Sequence, residues 1–576
     1  MNANYEHGEI KVTGKCSHIP DNLLSREDIC SQPNNEEEIR KDVLVQTSSI
    51  LSSYFTEEAM SEDPFDSVCS SGSTEMIRKP ESTEKHVPKY SQLESKQDIT
   101  SLNHLRQRDA WLPSESTQKS LTSRNPNTKS VAIKPVLMGK GFEISGSGSN
   151  FVCDPFRHLL TQYVGDELNI NAIRQAPSDE LGGQSVDDLK KIIANGWYTY
   201  ALNLTYRILS TAGFREGGTG AVLTPYTAQI WLCRLVLLVR TRNYELAERE
   251  FSTFQDMEAP NFYFEYDPKT YPGRTGSIIP FSLRLLHAEL PFHSNRANEA
   301  LDRLYYLLAV INRIISNLKQ GFKEDGLKSE PDLLYRQASL NLWTSRKIRV
   351  LSGCLSIFLH ILDFRSALNT VHQLARLCSD NHFVLRGFCS LLGRIYLQFG
   401  DLEMAKAYFS RSLSNKNLLF SDKPQLVRKN FHNALLSIGK GEYIEAEKFF
   451  RAVLQIDPTN VAAANNLAIC ALFLGQLSES VEALEDLTTT GLTNQQLNIV
   501  DCNTTATTTT EFSKFFMFNI QRRRFCLHDV MVSNLAVLYE VESNSATVKK
   551  LNLLKNMVRI PGEPVHMSSF KLTMKQ

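Results

Sequence analysis

The sequence predicts an all-α fold, a solenoid of stacked helix pairs preceded by a long disordered N-terminal arm. Three observations predict it. The pattern that begins at Gly441-Glu442-Tyr443 begins again at Gly475-Gln476-Leu477, 34 residues later, and that is the repeat length of a helix-turn-helix array. No train of alternating β-branched runs joined by Asn-Gly or Asp-Gly turns runs through the chain, so strands have little support. Residues 1–150 are rich in Ser, Thr, Asn and charged residues, with isolated apolar residues and no sustained period. Such a segment buries too little apolar area to offset the entropy of ordering it.

The arm spans 1–150 and closes on the flexible run Ser145-Gly146-Ser147-Gly148-Ser149. Within it, Asp63, Pro64 and Phe65 place an aromatic beside a Pro-fixed turn, a candidate docking motif. A second such tripeptide, Asp154-Pro155-Phe156, borders the fold, where Phe156 is expected to pack and Asp154 to cap the following helix.

Residues 151–487 read as the solenoid, of tetratricopeptide-like helix pairs. In each pair a small residue at the helix crossing lets two antiparallel helices touch, and large neighbours fill the space beside it. Gly393 or Ala468 supplies the small residue of a first helix; Ala247, Ala367, Ala405 and Ala446 supply that of the second. Trp231, Tyr244, Phe251, Phe364, Tyr396, Phe409, Tyr443, Phe450 and Leu484 are the expected fillers, and at helical spacing they read as core rather than as a ligand-binding stripe. Gly400, Gly441 and Gly475 end first helices, and Pro458 separates two pairs. The second-helix small residues Ala201, Ala247, Ala300, Ala367, Ala405, Ala446 and Ser480 are 46, 53, 67, 38, 41 and 34 apart, so longer loops are expected upstream, around 264–276 and 320–330. Pro291 interrupts the first helix of the Ala300 pair and makes that pair the poorest match. Residues 488–525 read as a Thr-rich irregular insertion containing Thr504–Thr510 and Arg522-Arg523-Arg524. A C-terminal helix pair is expected in 526–576, with Leu535, Ala536 and Tyr539 in its first helix.

Chemistry is not legible. Gly217-Gly218-Thr219-Gly220 and Gly139-Lys140-Gly141 lack the Lys-Ser/Thr of a phosphate loop. Cys526 and His528 have no second pair at ligand spacing. No catalytic residue, cofactor or metal is expected, and the chain is read as a non-enzyme. Lys+Arg and Asp+Glu both number 63 in 576 residues. That balance argues against nucleic acid or an acidic membrane held by bulk charge. The 11 cysteines are scattered singly, as in a reducing compartment. Met1–Pro20 is polar and unlike a secretory signal. The apolar runs Ile230–Val239 and Leu351–Leu362 are too short to span a bilayer. A cytoplasmic protein that meets membranes only indirectly is expected.

The stretches Asp154-Pro155-Phe156, Val186–Gly213 (with Asn195-Gly196-Trp197-Tyr198), Trp231–Phe251, Phe281–Leu308 and Leu355–Leu413 closely resemble one family. It is the tetratricopeptide-containing subunit 12 family of the transport protein particle (TRAPP) complex. The resemblance covers about 135–487 and resumes near Cys526–Asn544. It implies a scaffold subunit of a TRAPP III-like vesicle tether in ER-to-Golgi transport and autophagy. The implied partners are other TRAPP subunits, with a Rab GTPase and coat or adaptor proteins reached through the complex. The implied location is peripheral, at the ER-Golgi intermediate compartment and Golgi. A kinetochore role in mitosis, with a kinetochore protein as partner and a nuclear location, is a further implication. An adaptor for chaperones is the alternative use of the same fold. It needs Lys and Asn at groove-facing positions, where this sequence has Phe431 and Leu435, with Asn466 the single suggestive match.

Overall fold

The computed structural model describes residues 110–123, 132–139, 154–164, 174, 186–215, 221–328, 333–379, 382–413, 423–500, 528–560 and 562–572. Asp63-Pro64-Phe65, Thr504–Thr510, Arg522–Arg524 and Cys526 lie outside them. Eighteen α-helices are present among the described residues. The first two, α1 (Glu115–Thr122) and α2 (Pro155–Val164), precede the paired array. The pairs are then α3 (Val186–Ala194) with α4 (Tyr198–Thr211), α5 (Pro225–Arg240) with α6 (Tyr244–Ser252), and α7 (Phe281–His293) with α8 (Ala297–Lys319). They continue as α9 (Leu333–His360) with α10 (Phe364–Leu377), α11 (His382–Gln398) with α12 (Leu402–Leu413), and α13 (Lys423–Gly439) with α14 (Tyr443–Ile456). The last are α15 (Val461–Phe473) with α16 (Leu477–Val500) and α17 (Asp529–Glu542) with α18 (Ala546–Val558). Successive pairs pack on one another, as a helix pair with one apolar face must.

The crossings explain the pairing. Ala201, Ala247, Ala300, Ala367, Ala405 and Ala446 are all fully buried, and Ser480 at the same place in α16 donates its hydroxyl to Ala468 O at 2.7 Å. Gly393 lies so close to Phe409 that a Cβ there would stand 2.5 Å from the ring.

The turns inside the pairs share one conformation. Gly196, Arg242, Asn295, Leu362, Gly400, Gly441 and Gly475 all have φ between 56 and 81°. At each, the left-handed residue donates its N–H three residues back and its successor donates five back, as in Gly400 N to Leu397 O and Asp401 N to Tyr396 O. This double bond satisfies the last carbonyls of the first helix. The upstream repeats are hard to see in the sequence because Arg242 and Leu362 hold a place that glycine fills more easily. Leu362→Gly should therefore raise the stability of the chain by about 1 kcal/mol, and Gly400→Ala should lower it by about 1–2 kcal/mol. Urea midpoints of the two variants would show shifts of opposite sign.

Pro291 does not break α7. It stands in the last turn, where its missing N–H orphans the carbonyl of His287, and Arg303 of α8 donates to that oxygen at 2.9 Å.

Two boundaries differ from the sequence reading. The insertion expected over 488–525 does not begin at 488, because α16 continues to Val500. Thr488 is buried and turns its hydroxyl onto Glu485 O at 2.7 Å, so it does not compete with the helix for its backbone. The arm expected to be disordered over 1–150 contains ordered segments at 110–123 and 132–139. They are ordered by the array rather than by their own composition. Trp111 is buried against Phe281 and Trp343, and Leu137 enters the core formed by α3–α7. The stretch 264–276 is a loop with a short 3-10 turn, pinned by a bridge between Tyr263 and Ser277.

Candidate functional site

Three buried arginines hold the parts of the chain that are not repeats. Arg234 in α5 is fully buried and pairs with the equally buried Glu250 of α6 at 2.6 Å. Desolvation raises the Glu250 carboxyl and the Arg234 hydrogen bonds pull it back. The same guanidinium donates to Gly139 O at 2.6 Å, while Glu250 accepts from Met138 N at 3.4 Å. Thr253 Oγ1 and the Asn261 amide complete the grip on 132–139 through Val136 and Ile133.

Arg284 in α7 repeats the device. It pairs with Glu258 at 2.6 Å and lies over the Trp111 ring at 4.9 Å. Glu258 also accepts from Trp111 Nε1 at 2.8 Å and from the Tyr263 hydroxyl, and its backbone carbonyl accepts from Thr117. The segment 110–123 is fixed in this way.

Arg174 does the same for the C-terminal tail. It pairs with Asp154 and donates to the carbonyls of Ile560 and Gly562 at 2.9 and 2.6 Å. Its guanidinium lies between the rings of Phe156 and Trp197, at 5.0 and 4.6 Å. Glu563 donates its N–H to Gly196 O and accepts from Thr199 N at 2.8 Å, so its carboxylate caps α4, whose own N-cap residue Trp197 cannot. Burial pushes the Glu563 carboxyl up to about 7. Arg242 crosses the same boundary to Asp529 at 2.6 Å and to Ser568 at 3.2 Å. Phe156 meets Phe570 edge-on at 6.1 Å. The last pair and its tail thus touch α2 and the first two pairs, and the array meets itself. Asp154 caps Phe156 N and Phe156 is fully buried, so the second Asp-Pro-Phe tripeptide is structural.

The edge formed by the turns inside the pairs is the most apolar exposed surface among the described residues. The first residue of a second helix stacks on the end of the next pair's first helix. Tyr244 meets His293 at 4.9 Å, Phe364 meets Phe399 at 4.9 Å and Tyr443 meets Phe473 at 4.7 Å. From α9 onward this edge leaves Ile361, Leu362, Phe399, Met404, Ile444, Leu472, Phe473, Val541 and Val548 in solvent. Phe473 is 53% and Ile444 60% exposed.

The repeat-defining residues are distributed between core and edge. Trp231, Phe251, Phe409, Phe450, Leu484 and Ala468 are buried. Tyr244, Phe364, Tyr396 and Tyr443 are half-buried at the edge, where they link neighbouring pairs rather than fill one, and Tyr396 stacks on Tyr408 at 5.3 Å. Gly441 and Gly475 are exposed turns, and Pro458 lies exposed between α14 and α15. Phe431 and Asn466 are buried, so neither faces an open groove. Sequence reasoning missed the three arginine clamps. The one signal was Arg234 standing alone in the apolar run of α5.

No cluster of three or more His, Cys, Asp or Glu side chains able to hold a metal occurs among the described residues. No described helix is long and apolar enough to cross a membrane.

The fold and its repeats define a tetratricopeptide-repeat protein. Family profiles described as tetratricopeptide repeat match residues 437–494 and 387–417. The chain is a homologue of trafficking protein particle complex subunit 12. It is 31% identical to the Homo sapiens protein over 472 residues, 81% of this chain and 58% of that one. It is 31% identical to the Mus musculus protein over 471 residues, 81% of this chain and 54% of that one. The chain therefore spans between half and two thirds of the length of these relatives. Among solved structures, the human IFIT1 dimer with m7Gppp-AAAA aligns over 70% of this chain and 78% of that chain, at 16% identity and a TM-score of 0.22.

Proposed function

We propose that this chain is a non-catalytic scaffold subunit of a trafficking protein particle complex, and that it binds partner subunits along the apolar turn edge of α9–α18. The carrying observation is the run of exposed aromatic and aliphatic residues on successive turns, centred on Phe399 and Phe473. Contiguous apolar surface of this kind marks a protein interface, and aromatic anchors carry a large share of interface energy. Homology to subunit 12 supports the identity of the partners. Vesicle tethering in ER-to-Golgi transport and autophagy, and a place at the Golgi reached through the complex, follow as parts of the same proposal.

Affinity purification of the tagged full chain tests it. The wild-type chain should bring down other subunits of the particle. Phe399→Asp with Phe473→Asp should lose most of them and leave the melting temperature within a few degrees, because both side chains are exposed. Failure of the wild-type chain to recover any such subunit, or undiminished recovery by the variant, would overturn the proposal.

A further inference from the structure

A cavity of about 600 Å3 lies where the tail crosses α4, α5 and α7, within the size range of small-ligand sites. Its wall is apolar at Leu159, Val236, Leu286 and Met567. Its polar side holds Arg240 and Arg242. Both carboxylates that line the cavity are engaged. Asp529 accepts from Arg242 and from His566 N, and Glu563 caps Thr199. Arg240 is exposed at the mouth and lies over the Tyr198 ring at 5.5 Å; no carboxylate pairs with it among the described residues. His293 and His566 also line the space, and burial holds both below the usual histidine range, so they are neutral at pH 7. With Arg242 cancelled by Asp529, the charge facing a ligand is that of Arg240 alone.

An apolar wall, one uncancelled cation and several neutral polar groups match an amphipathic monoanion. A guanidinium also offers two parallel donors that fit the two oxygens of a carboxylate. A doubly charged phosphomonoester would leave one charge uncompensated. We propose that this cavity binds a free long-chain carboxylate, with its chain on Leu159, Val236, Leu286 and Met567 and its headgroup on Arg240. The site is separate from the turn edge, so it stands or falls independently of the partner surface.

Calorimetric titration of the full chain with dodecanoate, kept below its micelle concentration, tests the assignment. Saturable binding of one dodecanoate per chain is expected. Dodecan-1-ol should bind the wild-type chain roughly tenfold more weakly or not at all, a comparison that needs no variant. Arg240→Gln should weaken dodecanoate roughly tenfold while the melting temperature is retained. Dodecyl phosphate should bind less tightly than dodecanoate. Four results would overturn the proposal: no saturable dodecanoate binding, equal binding of the alcohol, unchanged affinity in R240Q, or a peptide ending in a free leucine carboxylate binding more tightly than dodecanoate.

Discussion

Arg234→Met should cost about 3–5 kcal/mol, the largest effect expected of any single substitution considered for this chain. The substitution strands the Glu250 carboxylate in a site with no solvent, and removing one partner of a buried pair is far more damaging than removing both. It also takes away the donors that reach Gly139 O and Leu202 O. The strap 132–139 should loosen together with the α5–α6 pair, and limited proteolysis should cut there first. Replacing both partners, as Arg234→Met with Glu250→Leu, should recover more than half of the lost stability, because no charge is then left without a partner. Chemical denaturation of the single and double variants measures both numbers. A single-variant cost under about 1 kcal/mol would show that the pair is not the clamp described here.

Gly562→Ala should detach the tail. Gly562 has φ +83°, and a Cβ there would stand 2.3 Å from Asn195 O and 3.0 Å from the Gly196 carbonyl carbon. Backbone on both sides leaves nothing flexible to yield. The left-handed conformation alone disfavours a side chain by about 1–2 kcal/mol, and the clash adds to it. Because repeats contact only their neighbours, the loss should stay local. Tail release withdraws the carbonyl acceptors of Arg174 and the carboxylate cap of α4. Protease sites in 560–572 should open and a low-temperature shoulder should appear in the melting curve, while the transition of α9–α14 stays in place. A melting curve and digestion pattern identical to wild type would contradict the close contact at Gly562.

The helix pairs were legible because their physics is local. A 34-residue spacing, glycine turns and small crossing residues are properties of short segments. The Gly441 and Gly475 pairs show all of them. The Arg242 and Leu362 turns were fainter because an ordinary side chain occupies the left-handed position. The clamps were not legible, because each joins residues far apart in sequence: Arg174 and Gly562, Trp111 and Glu258, Met138 and Glu250. Composition marked 110–139 as part of a disordered arm, and taken alone those residues do lack a core. Their order comes from Trp111 and Leu137 entering apolar space built by helices more than a hundred residues away. The turn edge was half legible. Tyr244, Phe364 and Tyr443 stood out as aromatics, but their helical spacing pointed to the core, and only the packing of neighbouring pairs places them at the rim.

Hydrogen exchange of the wild-type chain tests most directly whether buried arginines lock the non-repeat segments onto the array. Leu137 N–H is bonded to Phe214 O and Glu563 N–H to Gly196 O, so peptides covering 132–139 and 562–570 should exchange as slowly as those from the adjoining helices α6 and α17. Exchange of these two segments within seconds, at the rate of an unstructured chain, would contradict the account.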